Sequence, residues 1–132
     1  MSELLFAYGT LQPGLVPVAM ERVCRRLRVV GPATMAGRLY DLGHYPGAIV
    51  GGEGLIYGQI VEVDCEQTWQ ALDRYEGCPP EGEGEGLFRR VRAVATLADG
   101  EALECWVYVY ARDLGAARPI DGGCWQRRGD SI

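Results

Sequence analysis

Lysine is missing from this chain; all 13 basic residues among its 132 are arginine. A mechanism built on a lysine nucleophile or a Schiff base is therefore excluded. Histidine is nearly absent too, with His44 alone in a glycine-proline turn. One histidine makes a Ser-His-Asp triad or a two-histidine metal site hard to assemble, and no metal site is expected. No GxGxxG, Walker A or HExxH pattern occurs. No apolar run approaches the ~18 residues that a membrane helix needs, so no membrane partner is expected. The five cysteines are odd in number and form no CxxC pair, which disfavours a zinc knuckle or a disulfide framework. Free cysteines of this kind suit a reducing compartment. The start Met1-Ser2-Glu3 lacks the basic region of a signal peptide, so the expected location is the cytoplasm.

Positive charge is also in the minority. The formal net charge is −5, and no nucleic-acid partner is expected, because such binding rests on clustered cations neutralising phosphates. Two arginine groups, Arg25, Arg26 and Arg28, then Arg89, Arg90 and Arg92, fit a solvated face paired with nearby carboxylates, or else a local anion site.

What the chain has in excess is glycine, 19 residues without a collagen period. Many spaced glycines imply many turns and close approaches of backbone. The length fits one domain spanning 1–132. Leu4 to Tyr8 is a short apolar run ended by Gly9, the pattern of a buried strand entering a loop that Pro13 and Gly14 close. Met20, Val23, Cys24 and Leu27 fall on one helical face, and Val30-Gly31-Pro32 is expected to end that helix. Strands are expected over Ala33 to Leu42 and Leu55 to Val63, with turns at Gly43 to Gly47 and Gly51 to Gly54. Asp64 and Gln67 resemble a capping box opening a helix of about three turns, which Gly77 and Pro79-Pro80 stop. Glu81 to Gly86 is expected to be an exposed acidic loop. Beyond it, Leu87 to Leu97 and Leu103 to Tyr110 alternate around Asp99-Gly100, a type I′ hairpin signal. Helices do not separate the strands regularly, so a doubly wound sheet is disfavoured. The expected class is α+β, a small mixed β-barrel or curled sheet with flanking helices.

Carboxylate chemistry assisted by backbone dipoles is what remains. Trp69, Leu72, Asp73 and Glu76 share one helical face, so Glu76 projects beside apolar groups. Desolvation there would raise its pKa towards the range a general acid/base needs. Spacing alone favours a frayed, solvated helix end beside Gly77 over this reading. The Tyr8 to Gly14 loop can turn successive N–H groups inward as an anion nest, with the Thr10 hydroxyl added, or be an ordinary strand-to-helix turn.

A resemblance covers nearly the whole chain. Leu5-Phe6-Ala7-Tyr8-Gly9-Thr10-Leu11-Gln12-Pro13-Gly14 resembles the opening signature of the gamma-glutamylcyclotransferase-like proteins, which include the gamma-glutamylamine cyclotransferases and the AIG2-like proteins. Gly37 to Gly43 with Tyr45-Pro46-Gly47-Ala48, Gly58 to Val63, Leu72-Asp73-Arg74-Tyr75-Glu76-Gly77-Cys78-Pro79, the arginine strand, Trp106 to Tyr110 and a late glycine-tryptophan pair follow in family order. Phe88 stands where the family usually has a tyrosine, and Cys124 where an acidic residue usually precedes tryptophan.

The resemblance implies a compact barrel, Glu76 as acid/base, and a substrate loop at Tyr8, Gly9, Thr10 and Leu11. It implies Tyr45 and Tyr110 at the pocket border, a small-molecule gamma-glutamyl substrate, and no metal or organic cofactor. The implied reaction releases 5-oxoproline and an amine. A non-catalytic domain holding a small anionic metabolite in the same pocket stays open as the alternative. An interaction domain using Trp106 and Trp125 ranks below both. An acidic small barrel is compatible with a monomer.

Overall fold

A computed structural model describes residues 3–9, 18–79 and 86–125. The first strand, β1 (Glu3–Ala7), is followed by a 3-10 turn (Val18–Met20), α1 (Glu21–Cys24), and the long strands β2 (Arg28–Asp41) and β3 (Pro46–Val63). Then come α2 (Glu66–Glu76), β4 (Phe88–Leu97), β5 (Ala102–Tyr110) and the two-residue β6 (Arg118–Pro119). Strand order is β3-β1-β5-β4-β2-β6, and β3 also pairs with β2. That extra pairing closes β1, β5, β4, β2 and β3 into a five-stranded barrel, with β6 attached to the end of β2. The contact of β1 with β5 is parallel, at Leu5 and Trp106, and the other pairings are antiparallel. The expected class, a small α+β barrel with flanking helices, is the one observed.

Two cores explain the sequence pattern. Phe6, Tyr8, Met35, Leu39, Ile56, Ile60, Val107 and Val109 fill the barrel. Leu5, Ala7, Val61, Val63, Trp69, Leu72, Phe88 and Tyr108 pack between the barrel wall and α2. The first strand serves both, Phe6 and Tyr8 inward and Leu5 and Ala7 outward, which is why it reads as an unbroken apolar run. The fifth strand divides in the same way, with Cys105, Val107 and Val109 inside and Trp106, Tyr108 and Tyr110 outside, as its alternation predicts.

Several local expectations are corrected. The helix over Met20 to Leu27 is a 3-10 turn and one α turn, and the strand begins at Arg28, before Pro32. Proline is tolerated there because a register shift separates Val29 from Gly31, and β4 meets β2 only at Ala33 and Thr34. Residues 51–54 do not separate two strands. They bulge out of β3, where Ala36 pairs with Leu55 but Gly37 pairs with Val50. The N-cap of α2 is Cys65, not Asp64, without a capping hydrogen bond from its side chain. Cys65 Sγ lies instead 3.3 Å from Thr68 Oγ1. The hairpin turn is not type I′, which needs positive φ at two residues, since no non-glycine residue described has positive φ. Gly100 N–H donates to Leu97 O and Leu97 N–H to Glu101 O, giving a three-residue loop with Gly100 at φ 92°.

The other end of α2 follows expectation. Gly77 adopts φ 68°, and the N–H groups of Gly77 and Cys78 donate to Arg74 O and Asp73 O. The Gly77 carbonyl accepts in turn from Leu87 and Phe88, fastening the helix end to the start of β4. The acidic stretch, apart from Gly86, lies outside the described residues.

Candidate functional site

The end of β1, the turn before β3, the last turn of α2 and β5 meet at one cavity. It is lined by Leu5, Phe6, Ala7, Tyr8, Gly9, Tyr45, Pro46, Glu76 and Tyr108, and its interior and mouth together hold about 330 Å³. Each lining group has a local reason to be there. Gly9 rests against the Pro46 ring, where a side-chain carbon would stand 3.1 Å from Cγ. Tyr45 is set by the turn in which Leu42 N–H donates to Tyr45 O, and its ring packs 5.9 Å from Phe88. Glu76 is carried by α2, whose buried Trp69 and Leu72 hold the helix on the barrel wall. Burying such side chains stabilises by about 1.5–3 kcal/mol each, far more than the propensity of so short a helix supplies.

Glu76 is half-buried, and loss of hydration raises its carboxyl from 4.5 to about 7. No described arginine forms a salt bridge with it. The nearby cation is committed one helical turn away. Arg90 Nε and Nη2 donate to Asp73 Oδ1 and Oδ2 at 3.0 and 3.2 Å. The Tyr108 hydroxyl also donates to Asp73 Oδ1, at 2.6 Å. The guanidinium of Arg90 is further held over Trp69 and Trp106, at 4.3 and 4.7 Å from the ring centres.

Tyr8 closes the floor. Its hydroxyl donates to Tyr108 O and accepts from Ala48 N–H at 3.3 Å. Burial, then the nearby Glu76 carboxylate, push its pKa well above 10, so the phenol stays protonated. Burial and the Asp73 hydrogen bond do the same for Tyr108.

The structure brings Tyr8, Gly9, Tyr45 and Glu76 of the sequence-derived set to this cavity. Thr10 and Leu11 lie outside the described residues. Tyr110 is not among the lining residues; it covers Gly47 and stacks edge-on against Phe88 at 5.5 Å. Tyr108 lines the cavity and was not singled out, although alternation along β5 places it on the outer face with Trp106. His44 is exposed, and the cysteines described are unpaired, with Cys105 buried and Cys124 exposed. Of the two arginine groups, Arg28 pairs with Glu62, Arg90 with Asp73 and Arg92 with Glu3 and Glu104, as expected, while Arg25, Arg26 and Arg89 are exposed without a salt bridge among the described residues. Trp125 is buried in the barrel and Trp106 is covered by Arg90 and Arg92, which leaves an interaction surface based on them without its contacts. Among the described residues no cluster could hold a metal ion, and no helix is long and apolar enough to cross a membrane.

Comparison with known proteins agrees with this architecture. A Vibrio cholerae protein provisionally described as a gamma-glutamylcyclotransferase is 29% identical over 130 residues, covering 97% of this chain and 99% of that one. The gamma-glutamylcyclotransferase family protein YtfP of Escherichia coli K12 is 36% identical over 93 residues, 69% of each chain. Among solved structures, a mouse AIG2-like protein superposes with a TM-score of 0.71 at 22% identity, covering 98% of this chain and 99% of its own. YkqA of Bacillus subtilis gives the same score and identity over 95% of this chain, which spans 40% of that longer protein. At such identities the two structures speak for the fold. The model of the family described as gamma-glutamyl cyclotransferase, AIG2-like, matches residues 5–127, and the chain belongs to that family.

Proposed function

We propose that this protein is a cyclotransferase that converts a gamma-glutamyl amine or gamma-glutamyl amino acid into 5-oxoproline and a free amine, with Glu76 as the acid/base. The observation that carries this reading is the Glu76 carboxyl, raised to about 7, on the wall of a cavity shared with Tyr8 and Gly9.

In a gamma-glutamyl compound the alpha-nitrogen can close on the gamma-carbonyl to form a five-membered lactam. As an ammonium ion it has no lone pair for attack. The Glu76 carboxylate accepts one of its protons, and the neutral amine adds to the carbonyl carbon. The nitrogen then gives up a second proton as the C–N bond to the leaving amine breaks. The leaving nitrogen takes up both, so proton number balances. A carboxyl with a pKa near 7 suits both directions of transfer at cellular pH. Main-chain N–H groups of the Gly9 to Leu11 segment are assigned the substrate carboxylate or the developing oxyanion. The cavity contributes by holding the flexible glutamyl chain in a folded pose. Membership of the gamma-glutamyl cyclotransferase, AIG2-like family supports the reaction class.

The test is 5-oxoproline release from gamma-glutamyl amines and peptides by the wild type and Glu76→Gln. Release is expected from the wild type, and its loss in a variant that melts normally. Release at the wild-type rate by Glu76→Gln would overturn the assignment. Thermal stabilisation by these compounds without turnover would favour the binding-domain alternative.

A further inference from the structure

The Asp73–Arg90–Tyr108 cluster lies outside the cavity except for Tyr108, yet it is built on the same helical turn as Glu76. Asp73 precedes Glu76 by three residues, so the two side chains are neighbours on the helix surface. They differ sharply in environment. Asp73 takes a two-point contact from Arg90 and a short hydrogen bond from Tyr108, whereas Glu76 faces the cavity with no ion pair to any described cation. Arg90 cannot easily reorient, because its guanidinium is pressed against both Trp69 and Trp106. Tyr108 ties this cluster to the cavity floor, since its main-chain oxygen accepts from Tyr8 while its hydroxyl reaches Asp73.

We propose that Asp73 is a positioning residue for this site: it fastens the last turn of α2 to β4 and β5 and engages Arg90 so that the guanidinium does not neutralise the Glu76 carboxyl. The inference rests on Glu76 being the proton carrier.

Among the described residues, the titratable groups around Glu76 are few. Tyr8 comes from β1, Tyr45 from the turn before β3 and Tyr108 from β5. Asp73 lies on its own helix, Cys78 follows the helix end, and Arg90 on β4 is the cation, with its charge engaged by Asp73. Burial pushes Tyr8, Tyr108 and the Cys78 thiol up, so these three stay neutral near pH 7. Loss of hydration is what raises the Glu76 carboxyl, and on the same helical turn the charges of Asp73 and Arg90 balance one another in one ion pair.

That balance gives opposite signs for two substitutions. Asp73→Asn keeps the shape and releases a net positive charge, which lowers the pH at which Glu76 titrates. Arg90→Gln leaves the Asp73 carboxylate without its cation, which raises it. The expected displacement is about one pH unit in each direction, from a charge roughly one helical turn away. The double variant returns close to the wild type. The measurement is NMR titration of the full chain labelled with 13C at glutamate carboxyls, with the Glu76 signal identified by its loss in Glu76→Gln.

A purely structural role for Asp73 would not produce displacements of opposite sign. An unmoved Glu76 midpoint in both single variants overturns the proposal, as does a double variant that keeps the Asp73→Asn midpoint. If Asp73→Asn does not fold, Arg90→Gln decides by its upward shift or the lack of one. The titration needs no turnover. Persistent 5-oxoproline release by Glu76→Gln would remove the catalytic reading and leave the titration result intact.

Discussion

The hydroxyl of Tyr8, at the end of β1, donates to the main-chain oxygen of Tyr108 on β5, 100 residues later in the chain. It thereby reinforces the parallel contact of β1 and β5 in the barrel wall. The Tyr8 hydroxyl oxygen in turn accepts from Ala48 N–H on β3, so three strands share one phenol at the cavity floor. Tyr8→Phe strips a donor from Tyr108 O and an acceptor from Ala48 N–H while leaving the ring in place. An unsatisfied buried polar group costs about 1–3 kcal/mol. The variant should unfold at lower urea concentration by a free energy in that range. Stability unchanged to within about 0.5 kcal/mol would show that this bridge contributes nothing net.

Stability should also depend on the Glu76 charge, and the sign follows from its raised pKa. Below 4.5 the carboxyl is protonated in both the folded and unfolded chain, and folding incurs no charge-burial cost. As pH rises to about 7 the unfolded chain ionises first, so stability falls across that window. Above it the loss is complete, about 3 kcal/mol at ~1.4 kcal/mol for each pH unit between the two values. Glu76→Gln mimics the neutral acid at all pH values. It should therefore match the wild type near pH 4 and exceed it at pH 8, by up to that amount. Urea titrations at the two pH values check this. Equal stability of the two proteins at pH 8 would mean that the side chain is well hydrated.

Catalysis should show the opposite preference. The carboxylate form accepts the substrate proton, so kcat/KM for 5-oxoproline formation should fall about tenfold per pH unit below a midpoint near 7. Stability and activity then favour different charge states of one group. Glu76→Asp withdraws the carboxyl by one methylene, on the order of 1 Å, and a loss of about 10²-fold in kcat/KM is expected. An acid limb centred near pH 4.5, or no limb, would count against Glu76 as the base.

Legibility from sequence followed the range of the forces involved. The β4–β5 hairpin and the end of α2 are specified by neighbours in the chain: alternation from Phe88 to Tyr110, and a glycine at the left-handed position, Gly77. The face of α2 that carries Glu76 was legible for the same reason, through helical spacing from Trp69 and Leu72, whereas its burial depends on the strands packed against that helix. The start of β2 was not. Arg28 to Pro32 lacks a strand pattern, and it is held extended by its partners on β3, with Arg28 paired to Glu62 across the strands. Tyr108 was hidden as a lining residue because its meeting with Tyr8 exists only once the barrel closes. The same holds for Asp73 on α2, whose partners Arg90 and Tyr108 come from two strands of the barrel.

Two glycines near the site should respond differently to alanine, because one is needed for space and the other for its dihedral angle. A methyl at Gly58 would land on the Ala7 carbonyl oxygen and stand 3.0 Å from the Phe6 ring tip. Backbone cannot swing aside as a side chain can, so β1 must move, at about 1–3 kcal/mol for such overpacking. The moving part is the segment Ala7-Tyr8-Gly9 that walls the cavity. Gly58→Ala should therefore lower kcat/KM more than its stability loss explains, at a temperature where the variant is fully folded. At Gly77 a methyl would meet only Leu87, at ordinary contact distance. The cost there is the left-handed backbone at φ 68°, about 1 kcal/mol for a non-glycine residue. Gly77→Ala should lose that stability with Glu76 still on its helix face and near-normal kcat/KM in the folded population. If the two variants reversed this order, with Gly58→Ala active and Gly77→Ala inactive, the helix end rather than the end of β1 would be the sensitive wall of the cavity.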